Sequence, residues 1–400
     1  MIFDFVAVRA RRWNETLRQK WNSPPWNFLR WPKQLSPFWF AAATNLLETV
    51  NYLLLKGVSP DLDLESTREY DRDTDHTALQ AASYYGHFEM AQLLIEHGAD
   101  VNARRGPYRS ALCAAASGDQ PRIAQLLIEN GADIDAQESG CASALEVAVS
   151  VGHKTFVQLL LRSGADVNLD NGAALQSAVS APHHELIPLL IENGADPNAN
   201  VDTFYIACAE CDIQHARLFI ENGVNIDTRA EYLGSPLHAA CLRGSESSVE
   251  IVQLLLDNGA DVNAWSEEYG SPLAAASFGG HEPVVQLLIA NGGDVNARGV
   301  EFEGNALEAA SEGGHEGIVR LLIENGAEVN GRTEQYGGAL QSACVKGRTQ
   351  VVQLLIASGA DVDAPGGFYG SPLRAAVSCG HKSVARILLE NGAVDYRDVD

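Results

Sequence analysis

The sequence predicts an all-α fold, a solenoid of about eleven helix-turn-helix units with β-hairpin loops. The first observation is a recurring phrase whose clearest copy, LLIEHGADVNA, occupies residues 93–103. Its glycine recurs at a spacing that is most often 33 residues, and a leucine or phenylalanine anchor stands 19 residues before it in ten of eleven units. The closing glycines are Gly57, Gly98, Gly131, Gly164, Gly194, Gly223, Gly259, Gly292, Gly326, Gly359 and Gly392. A fixed period of this length is typical of stacked units that share one apolar core.

The unit at residues 269–297 shows how each element is specified. Ser271 is a favourable N-cap for a short first helix rich in Leu and Ala, and Gly280 ends that helix. A second helix is predicted from about Glu282, apolar on a broad face, and Gly292 fits the left-handed position that follows a helix. A turn-rich connection then leads to the next unit.

The same N-cap position can be read in every unit, two residues before the anchor. It holds Ser36, Thr77, Ser110, Ser143, Ala173, Asp202, Ser235, Ser271, Asn305, Gly338 and Ser371. Ten of these eleven are residue types that cap helices well, so we expect the first helices to start there. One unit has three additional residues, which we place in a polar turn at 244–249.

The repeat domain is predicted to span residues 36–396, with two irregular regions. An acidic insertion at 61–75 is either a solvated loop or an interaction arm. The repeats at about 168–223 are degenerate: their connections are short, and Pro188 falls inside a predicted second helix. We therefore expect a weak joint near residues 168–212.

Residues 1–35 form a separate basic, tryptophan-rich segment. The segment contains seven basic and two acidic side chains, and five of the six tryptophans of the chain lie at or before Trp39. An end repeat needs cover for its apolar side, so a capping segment is the favoured interpretation. A basic helix on a membrane surface and a remnant of a larger upstream domain are the alternatives.

Composition and charge restrict the function. The formal charge is −24, which disfavours nucleic acid and favours a basic protein partner or simple solubility. No apolar run is long enough to span a membrane, and no secretory signal is recognisable. We expect a cytoplasmic monomer, with a nuclear location also open.

Catalytic and metal sites are not expected. There is no P-loop, HExxH, GxSxG or dinucleotide-binding fingerprint, so the sequence indicates a non-enzyme without cofactor or metal. Six histidines stand eight residues after their anchors: His87, His153, His183, His281, His315 and His381. Equivalent residues of stacked units are about 10 Å apart, too far for a shared metal, so we expect them to bond to nearby backbone in the turn between helices.

The phrases SPLHAA at 235–240 and GADVNA at 259–264 resemble the ankyrin repeat. The resemblance extends over about residues 36–396 and implies paired antiparallel helices, projecting β-hairpins and a concave face that binds proteins. The amino-acid sequence of the repeats is also similar to that of arrays common in filamentous fungi. There such arrays often form the recognition part of NACHT-type signalling receptors, which is the alternative function for this chain.

Aromatic residues in the connections are the candidate partner-binding site. They are Tyr108, Tyr232, Trp265, Tyr269, Phe302, Tyr336 and Tyr369. Tyr and Trp offer large contact area at low entropic cost, and several of these stand beside glutamates. One interpretation is a ladder in which neighbouring hairpins pack on each other; the other is a row of exposed anchors for a protein, best developed at residues 228–370.

Overall fold

A computed structural model describes residues 37–61, 77–104, 106, 108–137, 142–210, 212–230, 234–297, 304–332 and 337–394. Within these residues twenty-two α-helices form eleven pairs, as the sequence predicts. Residues 1–35, for which a capping role is predicted, and nearly all of the acidic insertion lie outside the described residues. The chain divides into two compact units, residues 1–195 and 196–400, which hold five and six of the helix pairs.

In ten of the eleven described pairs a short first helix precedes a longer or equal second helix, whereas in the fifth pair the first helix has 12 residues and the second has 6. In the first unit these are α1 (Pro37–Ala43), α2 (Leu47–Leu55), α3 (Ala78–Tyr85), α4 (Phe88–Glu96), α5 (Ala111–Ser117), α6 (Pro121–Glu129), α7 (Ala144–Val151), α8 (Lys154–Arg162), α9 (Leu169–Ser180) and α10 (Ile187–Glu192). In the second unit they are α11 (Val201–Ala209), α12 (Ile213–Glu221), α13 (Pro236–Arg243), α14 (Glu246–Asp257), α15 (Pro272–Gly279), α16 (Glu282–Ala290), α17 (Ala306–Gly313), α18 (Glu316–Glu324), α19 (Ala339–Val345), α20 (Thr349–Ala357), α21 (Pro372–Ser378) and α22 (Lys382–Glu390).

The core of each unit is built from the predicted anchors and the apolar face of the second helices. All eleven anchors are buried, from Leu237 with no exposed surface to Leu373 at 5%. They pack among small residues of the first helices, mainly alanines, which allow neighbouring helices to approach closely. Within each unit, first helices contact the first helices of adjacent pairs, so the apolar core continues from pair to pair.

Most helix starts follow the predicted caps. Six side chains accept a hydrogen bond from the backbone N–H three residues further on: Thr77, Ser110, Ser143, Ser271, Asn305 and Ser371. Gly338 occupies the N-cap of α19 without a side-chain bond, and Ser36 lies outside the described residues. Local sequence therefore fixes where most first helices begin.

The predicted caps Ala173 and Asp202 were wrong. The cap of α11 is Asn200, whose Oδ1 accepts the backbone N–H of Asp202 at 2.8 Å. The right-handed turns of α9 begin only after Gly172, because Asp170, Asn171 and Gly172 have positive φ values of 52°, 54° and 72°. Asn, Asp and Gly tolerate this left-handed conformation better than other residues, so the shortened connections are absorbed by extra turns at these helix starts.

Two further predictions about helix boundaries were also wrong. Pro188 does not interrupt a helix, because a 3₁₀ turn at His184–Leu186 delays the start of α10 to Ile187 and places Pro188 in its first turn. The three additional residues near 244–249 do not lengthen a turn. Ser245 caps α14 directly, and that helix has 12 residues where its neighbour α16 has 9.

His238 links two repeats of the second unit. Its Nδ1 accepts the backbone N–H of Ser235 at 3.1 Å, and its Nε2 lies 3.0 Å from the carbonyl oxygen of Gly270. A carbonyl only accepts, so Nε2 must donate, and the ring is held as one neutral tautomer. Burial lowers the pKa of His238 below its usual value of 6.5, although the bond to Gly270 opposes this.

We expect His238 to make the stability of the second unit depend on pH. Because its pKa is lower in the folded than in the unfolded state, its stabilising contribution is complete above pH 6.5 and is lost as pH falls through the folded-state pKa. His238→Gln should remove this part of the pH dependence, since Gln80 fills the same position in another repeat and bonds to Thr77 N at 3.2 Å. Urea unfolding from pH 8 to pH 5 measures the difference; parallel curves for the two proteins would contradict it.

Candidate interaction surface

The connections between repeats are fixed to each other by a recurring side-chain clamp. Asn263 Oδ1 accepts the backbone N–H of Asp294 at 2.8 Å, and its Nδ2 donates to the carbonyl of Gly292 at 3.2 Å. Asn102, Asn198, Asn296 and Asn330 make the same two bonds to the following repeat. This role of the asparagine was not predicted from the sequence, although its recurrence in the ADVNA phrase was a visible signal.

The histidines of the inter-helix turns also join adjacent repeats. Nε2 of His87, His281, His315 and His381 lies 2.9–3.0 Å from a backbone carbonyl near the end of the first helix of the preceding repeat. This confirms the expected bonding to backbone for these four residues. Together with the asparagine clamp, these bonds hold the connections of each unit in a fixed register.

Two described hairpins in the second unit present aromatic side chains. In the first, backbone bonds between Ser266 and Gly270 of 2.8 and 3.1 Å close a turn. Ser266 Oγ also accepts the N–H of Tyr269 at 2.9 Å. Trp265 and Tyr269 are half-buried at the base of this turn, whereas Glu267 and Glu268 at its tip are exposed.

The second hairpin carries the most exposed of the large apolar side chains in the described residues. Gly366 and Gly370 are bridged, and Phe368 between them is 87% exposed. Its ring meets Tyr369 edge-to-face with centroids 5.1 Å apart. Tyr369 is half-buried and its Oη lies 3.5 Å from the sulfur of Cys379. An aromatic ring with this much exposed apolar surface is a candidate contact residue.

Tyr108 in the first unit has different surroundings. Its ring stacks on Tyr84 of α3 with centroids 5.0 Å apart, and Tyr84 meets Tyr85 edge-to-face at 5.0 Å. Burial, with a smaller contribution from Tyr84, raises the pKa of Tyr108. Tyr108 thus packs against a first helix, an arrangement that neither the ladder of hairpins nor the row of exposed anchors describes fully.

The remaining candidates and some unforeseen residues complete the surface. Tyr232, Phe302 and Tyr336 lie outside the described residues. Sequence reasoning missed the aromatic residues of the first helices, among them Phe278, which is 51% exposed, and the half-buried Tyr205. Burial raises the pKa of Tyr205, and the charges of Glu268 and Asp202 add to this effect. Aromatic and acidic groups therefore lie near one another on this side of the second unit.

Neither of the two described cysteines with a shifted pKa, Cys241 and Cys344, has an activated thiol. Burial raises the pKa of Cys344 to about 12 and also raises that of Cys241. Thiolate is the reactive form of cysteine, so both side chains stay protonated and fill the core as small apolar groups. None of the helices in the described part of the chain has the length and apolarity needed to cross a lipid bilayer.

The comparison with protein-family models agrees with this architecture. The family model described as ankyrin repeats (3 copies) matches residues 26–105, 112–201, 175–266, 204–299, 248–333, 272–366 and 308–400. The chain therefore belongs to the ankyrin repeat family. Among solved structures, the human ASB11 ankyrin repeat domain is 28% identical over 48% of this chain and 84% of that chain, with a TM-score of 0.42. No curated protein matches the chain.

Proposed function

We propose that this chain is a non-catalytic scaffold or adaptor that binds a protein partner on the hairpin-bearing side of its repeats. Ankyrin repeats, which are matched along the chain, are commonly protein-interaction modules and are typically non-catalytic. The observation that carries the proposal is Phe368, which is 87% exposed on a turn closed by backbone bonds. Water contact with so large an apolar ring is unfavourable, and a partner would relieve it.

The partner is proposed to be basic, and the scaffold to act as a monomer. The formal charge of −24 attracts a cationic protein and speeds its encounter. Locally, the exposed Glu267 and Glu268 stand beside Trp265 and Tyr269, so that aromatic area is flanked by carboxylates. Lys and Arg side chains match this combination, because they pair with carboxylates and stack on aromatic rings. Residues 228–370 remain the proposed centre of the surface.

The alternative function uses the same surface as the recognition part of a NACHT-type signalling receptor. It rests only on the similarity of the repeat wording to fungal arrays. A P-loop NTPase that co-purifies with the chain, or that is encoded next to it, would support this alternative.

Substitution of the hairpin aromatics should separate binding from folding. We expect Phe368→Ala and Tyr269→Ala each to weaken the binding of the captured partner by about tenfold, which corresponds to ~1–2 kcal/mol of binding free energy. The melting temperature should hardly change, because surface substitutions usually alter stability by less than about 0.5 kcal/mol. The partner is first identified by capture on the full chain from cells that express it, and affinities are then measured with the purified pair.

Leu389→Ala is the matched control, since Leu389 is 43% exposed but lies on the second helix α22. Its affinity should equal that of the unmodified chain. Unchanged affinity together with a large loss of stability in Phe368→Ala or Tyr269→Ala would instead show that these side chains serve hairpin packing.

A further inference from the structure

Helix α2 exposes an apolar face at the edge of the first unit. Leu47, Tyr52 and Leu55 are 38%, 61% and 72% exposed. At 3.6 residues per turn they fall within one arc of about 140° on the helix. The buried side of the same helix carries Val50 and Leu54, so α2 is apolar on two sides.

The helical position of Leu55 is charged in eight of the ten repeats that follow and is alanine in the other two. Where α2 has Leu55, the second helices α4, α6 and α18 have the exposed glutamates Glu96, Glu129 and Glu324. An end repeat that faced water would be expected to carry more polar residues there, not fewer. The apolar face of α2 therefore indicates that something covers it.

A groove beside this face has acidic walls. It is lined by Leu47, Glu48, Asn51, Glu89, Gln92, Leu93 and Glu96, which come from α2 and α4. Three carboxylates thus surround two leucines. At the far end of α2, Lys56 Nζ lies 5.6 Å from the centre of the Tyr52 ring, which shows that a cation fits against this ring.

We propose that the basic, tryptophan-rich segment 1–35 of the same chain docks on this face of α2. The segment carries seven basic and two acidic groups, so its charge complements the groove. Trp21, Trp26 and Trp31 supply apolar area to cover Leu47, Tyr52 and Leu55.

The short tether favours this occupant over a separate molecule. Trp31 is six residues before Pro37, where α1 begins, so it can reach about 20 Å from that point. A tethered segment has an effective concentration in the millimolar range, so even weak docking is populated. This docking is an intramolecular contact in addition to the proposed binding of a protein partner, and it does not depend on that function.

Substitution of the exposed residues in the full chain tests the docking. Because Tyr52 and Leu55 are exposed, Tyr52→Glu/Leu55→Glu should leave the helices intact, which circular dichroism checks. We expect tryptophan fluorescence to become more accessible to acrylamide. Backbone amides of α2 should exchange at least about tenfold faster, as the loss of one buried leucine contact implies. Leu389→Glu, which places one carboxylate at an exposed leucine of α22, should alter neither quantity.

The reciprocal variant Trp21→Ala/Trp26→Ala should accelerate exchange in α2 to the same extent. Unchanged quenching and exchange in both double variants would overturn the proposal. So would light scattering that shows a dimer dissociated by Tyr52→Glu/Leu55→Glu, since a second copy would then cover α2. A third result would overturn the proposal in favour of a membrane surface. In this result the unmodified chain binds anionic phosphatidylserine vesicles, and Tyr52→Glu/Leu55→Glu abolishes this binding without changing acrylamide quenching measured in the absence of vesicles.

Discussion

Replacing Phe219 by alanine is expected to cost about 3–5 kcal/mol of stability in the second unit. Phe219 has no exposed surface and meets Phe204 edge-to-face with ring centroids 6.1 Å apart. Alanine would leave a cavity between α11 and α12 and would also remove this aromatic pair. Urea unfolding of the full chain, followed by circular dichroism, measures the loss.

The loss should be concentrated near the substitution. In a repeat protein each unit contacts only its neighbours, so amides of α11 to α14 should lose protection before those of α19 to α22. Val201→Ala is the control, because Val201 is 47% exposed in α11 and should change stability by less than about 0.5 kcal/mol. A loss below about 1 kcal/mol in Phe219→Ala would contradict the packing described for this pair.

Gly280→Ala is expected to cost about 3 kcal/mol, clearly more than Gly292→Ala at about 1–2 kcal/mol. Both glycines are left-handed, with φ of 79° and 87°, so both substitutions strain the backbone. The two sites differ in the space around them. A Cβ at Gly280 would lie 2.4 Å from His315 Cε1, whereas nothing lies within 4 Å of a Cβ at Gly292.

The additional cost at Gly280 comes from the next repeat. The new methyl would push the His315 ring away from its bond to the carbonyl of Phe278, which is 3.0 Å long. In a His315→Ala background both glycine substitutions should therefore cost the same. Chemical unfolding of both glycine variants, each with and without His315→Ala, gives this comparison. If Gly280→Ala still costs more than Gly292→Ala without His315, the contact between repeats is not the source of the difference.

The fold could be predicted from the sequence because its rules are local and repeated. The anchors, the closing glycines and most N-caps recur at fixed spacing, and each recurrence supports the others. Predictions failed where one unit departed from the pattern. Asn200 and the left-handed run at 170–172 set the helix starts there, because shortened connections had to be closed by residues that tolerate unusual backbone angles.

The candidate surface was less predictable than the fold. Period alone places Tyr108 and Tyr369 at equivalent positions, yet Tyr108 stacks on Tyr84 and Tyr369 meets Phe368. Side-chain direction in these turns depends on which residue takes positive φ, and this differs between the connections. The exposure of Phe368 likewise depends on the glycines around it, Gly366, Gly367 and Gly370, which have no side chains to cover the ring.

Hydrogen exchange of the full chain, with and without its captured partner, tests the proposed binding side most directly. We expect slower exchange in the hairpins at 265–270 and 366–370 and in the adjoining first helices when the partner is bound. Protection confined to the second helices, such as α16 and α18, would contradict it.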